Sequence, residues 1–125
     1  MGYVVVFLGA GIGGALRHGV NLLVPRLVAT SFPLQTLVIN VLGSLAMGLI
    51  AEYFALRGDL TQSARLFLTT GILGGFTTFS AFSLDAALLY ERGQLLAAAA
   101  YVLLSVALSI GGLFLGLAAA RSYVG

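Results

Sequence analysis

Few residues in this 125-residue chain are equipped for covalent or acid–base chemistry. It has one histidine, no cysteine and four acidic residues. That rules out a cysteine nucleophile, a disulfide and a thiolate metal site, and with no pair of central carboxylates it leaves acid–base or metal catalysis few players. What remains is uncharged and polar. Thr36, Asn40 and Ser44 recur at i, i+4 and i+8, with Gly48 continuing the row, and Tyr101, Ser105 and Ser109 repeat the spacing further on. On a helix each set forms one stripe. A stripe of this kind is either a hydrogen-bonded seam between helices or the wall of a wet path. The amide of Asn40 supplies two donors, which favours the path.

The run Thr69-Thr70-Gly71-Ile72-Leu73-Gly74-Gly75-Phe76-Thr77-Thr78-Phe79-Ser80-Ala81-Phe82-Ser83 is the most unusual stretch. Adjacent glycines cost about 2 kcal/mol of helix propensity against two alanines, and threonine hydroxyls compete for freed backbone. The pattern predicts a helix broken over residues 74–78. A break inside apolar surroundings exposes carbonyls able to hold a cation and starts a new helix whose N-terminal N–H groups favour an anion. The bland counterpart is a kink that only helps packing. Beyond the break, Phe79 and Phe82 stand at i and i+3 on one face. They are either a core pair or, through the positive edges of their rings, a border for a small anion that offers no full charge to trap it.

Three charged or titratable residues interrupt otherwise apolar stretches. Arg17 either attracts anions at a vestibule or snorkels to an interface. Asp85 has three options: to snorkel, to pair with an arginine or to accept a hydrogen bond. His18 reads as interfacial.

These residues must be positioned by membrane-spanning helices. The chain is 60% hydrophobic and 8% charged, with a mean hydropathy of +1.09, more apolar surface than a soluble domain of this size can bury. A helical bilayer crossing takes roughly 20 apolar residues. Four such spans are expected, over 2–24, 34–51, 66–90 and 95–120, filling one transmembrane domain over 1–125. The connections hold most of the charge and both prolines: Pro25 and Pro33 bracket the first, Arg57, Asp59 and Arg65 lie in the second, Glu91 and Arg92 in the third. The Met1-Gly2-Tyr3 start carries no basic residue, so the first span is expected to remain in place and not to be cleaved as a signal. All six basic residues are arginines, without the clustering a nucleic-acid surface needs, and no nucleic-acid partner is expected.

Four spans put both termini and the second connection on one side, with Arg57, Arg65 and Arg121; Arg26 and Arg92 fall on the other, joined by Arg17 if it reaches the interface. The bias that fixes membrane orientation is therefore nearly absent. Either the chain inserts both ways and pairs as an antiparallel dimer, or the weak bias still selects one orientation.

Gly9-Ala10-Gly11-Ile12-Gly13-Gly14 satisfies the dinucleotide pattern G-x-G-x-x-G after a strand-like Tyr3-Val4-Val5-Val6-Phe7-Leu8. The acidic residue required about 20 positions later is missing, because the first acid is Glu52. The same residues read better as Gly9-x-x-x-Gly13, a small-residue face for close helix packing.

At these residues the chain resembles the Fluc family of small fluoride channels, also called CrcB. The likeness rests on Gly14-Ala15-Leu16-Arg17, on Thr36-Leu37-Val38-Ile39-Asn40-Val41-Leu42-Gly43-Ser44, and above all on Gly74-Gly75-Phe76-Thr77-Thr78-Phe79-Ser80-Ala81-Phe82-Ser83. The resemblance implies an all-α protein of four transmembrane helices, the third broken near mid-membrane, pairing with a second copy as an antiparallel, dual-topology homodimer. It also implies two fluoride pathways, passive export of toxic fluoride, and an inner cell membrane location. By the same resemblance Phe79 and Phe82 line the path, Asn40 is its amide, Ser80, Ser83, Ser105, Ser109 and Thr36 add hydroxyls with Tyr101 nearby, and Arg17 stands near a vestibule. The carbonyls of Gly74 and Thr77 from both copies hold a central structural sodium ion.

Three positions depart from the family's habit. Gln35 stands where glycine is frequent, Ala81 where threonine is common, and Asp85 where glutamate is common. The missing hydroxyl at Ala81 weakens the polar track of the third span. Two rivals stand against the channel. A small multidrug-type proton-coupled antiporter needs a membrane-buried carboxylate, typically in the first span, which has none. A structural membrane subunit would use the polar stripes only as seams.

Overall fold

The computed structural model describes residues 1–58 and 61–124, with the side chain of Val124 left out. Asp59, expected in the second connection, lies outside the described residues. Helix α1 spans Gly2–Leu27, α2 Leu34–Arg57 and α3 Gln62–Leu66. A π-helical segment Phe67–Leu73 and the short α4, Gly74–Phe76, follow; then come α5, Phe79–Glu91, and α6, Leu95–Val124. The segments from α3 to α5 make up the third span, and all four spans are long and apolar enough to cross a bilayer. Each runs a few residues past its expected bounds. α1 continues through Pro25, whose missing N–H deprives only the Asn21 carbonyl, while the Val28 N–H still donates to the Val24 carbonyl at 2.9 Å. Arg57 closes the last turn of α2 and Arg65 sits in α3, so the charged ends expected in a loop are helical. Gly58 and Gly93, with φ of 65° and 79°, make the turns after α2 and α5.

Lipid takes the place of a large core here. Leu37, Leu89 and Tyr101 form a small buried cluster, flanked by Phe32, Phe82, Ala97 and Ala98. Phe7, Leu96 and Phe114 remain exposed on the outside, the surface a bilayer's hydrocarbon solvates.

Close backbone approach holds the bundle together where side chains are small. α1 lies on the first half of the third span: a Cβ on Gly13 would run into the Ile72 carbonyl, and one on Gly75 would come within 2.5 Å of the Ala10 carbonyl. The Gly9-x-x-x-Gly13 face therefore packs helices, as its spacing implies. α2 and α6 mesh in the same way, since a Cβ on Gly48 would strike the Leu113 carbonyl and one on Gly116 the Leu45 carbonyl. One end of this pair is tied by Arg121, whose Nε and Nη2 donate to Glu52 Oε2 at 2.9 and 2.5 Å.

The break falls inside the expected window but at its far edge. Gly74 and Gly75 stay helical, because Gly75 must approach Ala10; the chain opens at Thr77 (φ −80°, ψ 157°) and Thr78 (φ −151°, ψ 117°), where β-branched residues suit extended backbone. The π-helical turn just before it has no forewarning in the residue pattern; such turns collect at functional sites.

Candidate functional site

Two backbone groups of Thr78 define the site. Extended geometry at Thr78 takes its N–H out of the helical ladder, and that N–H and the Thr78 C=O, the N-cap carbonyl of α5, are both met by one side chain on the neighbouring α2. Asn40 Oδ1 accepts from the Thr78 N–H at 2.8 Å, and Asn40 Nδ2 donates to the Thr78 carbonyl at 3.0 Å. The pairing itself fixes which end of the amide is which. α2 comes this close because residue 43 is glycine, whose added Cβ would collide with Thr77 Cγ2. The Thr78 hydroxyl then caps α5 by accepting from the Ala81 N–H at 3.0 Å, and it lies 3.2 Å from Ser80 Oγ.

This arrangement diverts two helical donors. In an unbroken helix the Thr78 N–H would serve the Gly74 carbonyl and the Ala81 N–H the Thr77 carbonyl. Here both donate to side-chain oxygens instead. Gly74 and Thr77, expected to offer carbonyls to a cation, therefore have those oxygens released from the i+4 ladder. Their chemistry fits a hard cation that takes oxygen ligands.

Beside the break opens a cavity of about 420 Å³ between α2, the third span and α6. Asn40, Phe79, Phe82, Ser105 and Ser109 all line it, together with Gly74 and Thr77. The two phenylalanine rings lie 5.5 Å apart and inclined at 50°, and Phe79 is 77% exposed on the open side. Ser105 Oγ is buried without a hydrogen-bond partner among the described residues. A buried hydroxyl left this way costs about 1–3 kcal/mol, so it calls for a partner beyond the isolated chain. Among the described residues lining the cavity no side chain is charged. Such a wall offers an anion ring edges, an amide and hydroxyls, each weak enough to let it go.

The remaining expected residues fall elsewhere. Thr36 is buried higher on the α2 stripe and does not line the cavity. Tyr101 is wholly buried, its ring 5.2 Å from Phe82 and 5.5 Å from Phe32, and its hydroxyl donates to Asp85 Oδ2 at 3.1 Å. Of the three options open to Asp85, the structure selects accepting a hydrogen bond. Asp85 also lines a second, more polar recess of about 340 Å³ with Gln35, Thr30 and Arg92. Ser83 donates back to the Phe79 carbonyl at 2.9 Å, and Ser80 is turned to Thr78; neither lines the cavity. Arg17 is half-buried ten residues before the end of α1, and its Nε lacks a partner among the described residues.

Thr78 is a residue of this candidate site that spacing alone did not single out. The signal was present, since a threonine opening a half-helix is a preferred N-cap. Its backbone partnership with Asn40, 38 residues away, leaves no local trace.

Comparison with known proteins supplies a family. The family model described as "CrcB-like protein, Camphor Resistance (CrcB)" matches residues 4–117. A protein of Rhodopseudomonas palustris (strain BisB5), named fluoride-specific ion channel FluC, is 62% identical over 122 residues, 98% of each chain. Proteins of the same name from Methylobacterium nodulans and Granulibacter bethesdensis are 63% and 57% identical, over 95% of each chain for the first and over 99% of this chain and 98% of the relative for the second.

Proposed function

This chain belongs to the CrcB-like protein family, and from that membership together with the cavity we propose its function: it is a multi-pass membrane protein that conducts fluoride as a channel, and not an enzyme. The observation that carries the reading is the cavity beside the broken span, uncharged among the described residues and bordered by Phe79, Phe82, Asn40 and the Ser105 hydroxyl, which has no partner among them. A small, strongly hydrated anion needs several donors at once to replace its water, and none that binds it irreversibly. Phe79 and Phe82 present ring edges, Asn40 keeps one amide hydrogen beyond the one given to Thr78, and Ser105 and Ser109 give hydroxyls. Thr36, Tyr101, Ser80 and Ser83 shape or continue the path, and Arg17 draws anions toward it.

The working unit of this reading is an antiparallel homodimer with two pathways. It is supported by the open flank of the cavity, where Phe79 stands largely uncovered, and by the near-balance of arginines between the two ends. Gly74 and Thr77 would hold a structural sodium ion at the centre of that dimer, each copy contributing its freed carbonyls. A cation bound there supplies fixed positive charge beside the anion route. Helical spans favour the inner cell membrane, because outer-membrane proteins are built as barrels.

The deciding experiment is fluoride efflux from liposomes holding the purified protein, followed with a fluoride electrode beside a chloride control. Fast fluoride release without chloride release is expected; a folded protein that releases neither would defeat the reading.

A further inference from the structure

We infer that Asn40 is a positioning residue of the break as well as a lining residue, and that it couples the anion path to the cation-binding carbonyls. This rests on the proposed function for what the path and carbonyls do, but its structural part stands on hydrogen bonds alone.

An extended residue at membrane depth exposes an N–H and a C=O that lipid cannot satisfy. At Thr78 both are satisfied by Asn40, in the two-point manner of a neighbouring β-strand. No other side chain bonds to the Thr78 backbone among the described residues, so removing the amide leaves the N–H bare and takes from the carbonyl its side-chain donor. The nearest remedy is for the Thr78 N–H to return to the Gly74 carbonyl and heal the helix. Healing would withdraw Gly74 from any cation and rotate Phe79 and Phe82, which α5 carries from the Thr78 cap onward. The amide thus acts twice. Its oxygen and one N–H keep the chain open, and because it also lines the cavity, loss of the break and loss of the anion's donor follow from one substitution.

A role confined to the path would leave the backbone of Thr77 and Thr78 unchanged when Asn40 is replaced, and this separates the two ideas. The test uses the full-length protein in liposomes, labelled with 13C and 15N at threonine and with 13C at the glycine carbonyl, observed by solid-state NMR. The wild type should give extended-backbone shifts at Thr77 and Thr78. In Asn40→Ala these should move to helical values or broaden; unchanged extended shifts would overturn the inference. Should Asn40→Ala fail to fold, Asn40→Asp retains an acceptor for the Thr78 N–H and removes the donor to its carbonyl. The Thr78 carbonyl shift should then move while its amide nitrogen shift stays, and no movement of the carbonyl would refute the two-point brace.

The coupling is read by exchanging N-methylglucamine chloride for sodium chloride. A sodium-dependent shift of the Gly74 carbonyl is expected in the wild type and should be lost in Asn40→Ala; its persistence there would overturn the coupling. If the wild type itself shows no sodium response, the sodium reading and the coupling both fail while the brace is still judged by Thr78. Absence of fluoride efflux from the same wild-type liposomes would fall on the channel reading instead.

Discussion

Phe79 and Phe82 sit side by side on α5, yet their surroundings differ: Phe79 is largely uncovered, and Phe82 leans on the buried ring of Tyr101. Replacing either by isoleucine keeps apolar volume and removes the ring edge. With aromatic edge contacts worth about 0.5–1.5 kcal/mol, fluoride efflux should fall roughly 3- to 10-fold, measured by the electrode assay, while the protein still elutes as a folded species. Phe82→Ile should also lower the thermal unfolding temperature, because it strips a contact from Tyr101; Phe79→Ile should not. Ser105 gives a cleaner separation. Its buried hydroxyl has no partner to lose among the described residues, so Ser105→Ala should hold stability or raise it by up to about 1–3 kcal/mol, read by thermal unfolding, and still slow fluoride efflux. Full flux would mean that the hydroxyl does not meet the ion. The phenylalanines, Asn40 and the α6 serines were legible in the sequence because a polar or aromatic residue recurring at helical spacing inside an apolar span marks a face turned toward protein or water. The turning of Ser80 and Ser83 away from the cavity was not legible. A serine on a half-helix can bond its own backbone or its cap instead, and spacing does not distinguish these outcomes.

The elements are placed by where backbones can touch. Gly13 and Gly11 sit two residues apart on α1, but an added Cβ on Gly13 would strike the Ile72 carbonyl, whereas one on Gly11 meets nothing within 4 Å. Gly13→Val should therefore destabilise the fold by about 3 kcal/mol or more, in keeping with overpacking against rigid backbone. Gly11→Ala should be neutral or stabilising by up to about 1 kcal/mol, the helix-propensity gain. Thermal unfolding of the detergent-solubilised proteins checks both. Four spans, their order and the break in the third could be read from the chain because each depends on local composition. The π-helical turn and the opening at Thr77 depended on what α1 and α2 press against that span, information held by Ala10 and Asn40 far away in sequence.

For the whole molecule, three arginines at the end bearing the termini face two at the other, with Arg17 embedded between. If both orientations are needed for one functional dimer, tipping this balance should abolish function without touching the path. Gln62→Arg with Ser63→Arg raises the first end to five against two, since both positions are exposed there. Expressed alone in fluoride-sensitive cells this double variant should confer no resistance. Co-expressed with a chain biased oppositely by Ser31→Arg and Gln94→Arg, it should restore it. Resistance from the double variant alone would mean that one orientation suffices. The pairing proposed for two copies is the least legible level in the sequence, for such contacts would lie on faces that a single chain leaves open.

The uncharged lining of the cavity has an energetic consequence. With no carboxylate or imidazole along it among the described residues to take up and release a proton, an anion passing through is not obliged to exchange for another ion. Its transfer is then governed by concentration and by the electric field across the membrane. A potential of 100 mV, negative inside, contributes about 2.3 kcal/mol to each outgoing unit negative charge. At equilibrium that holds the internal concentration roughly 50-fold below the external one. The polarised membrane itself is thus the engine of expulsion, and collapsing its potential should remove the protection even while every channel remains open.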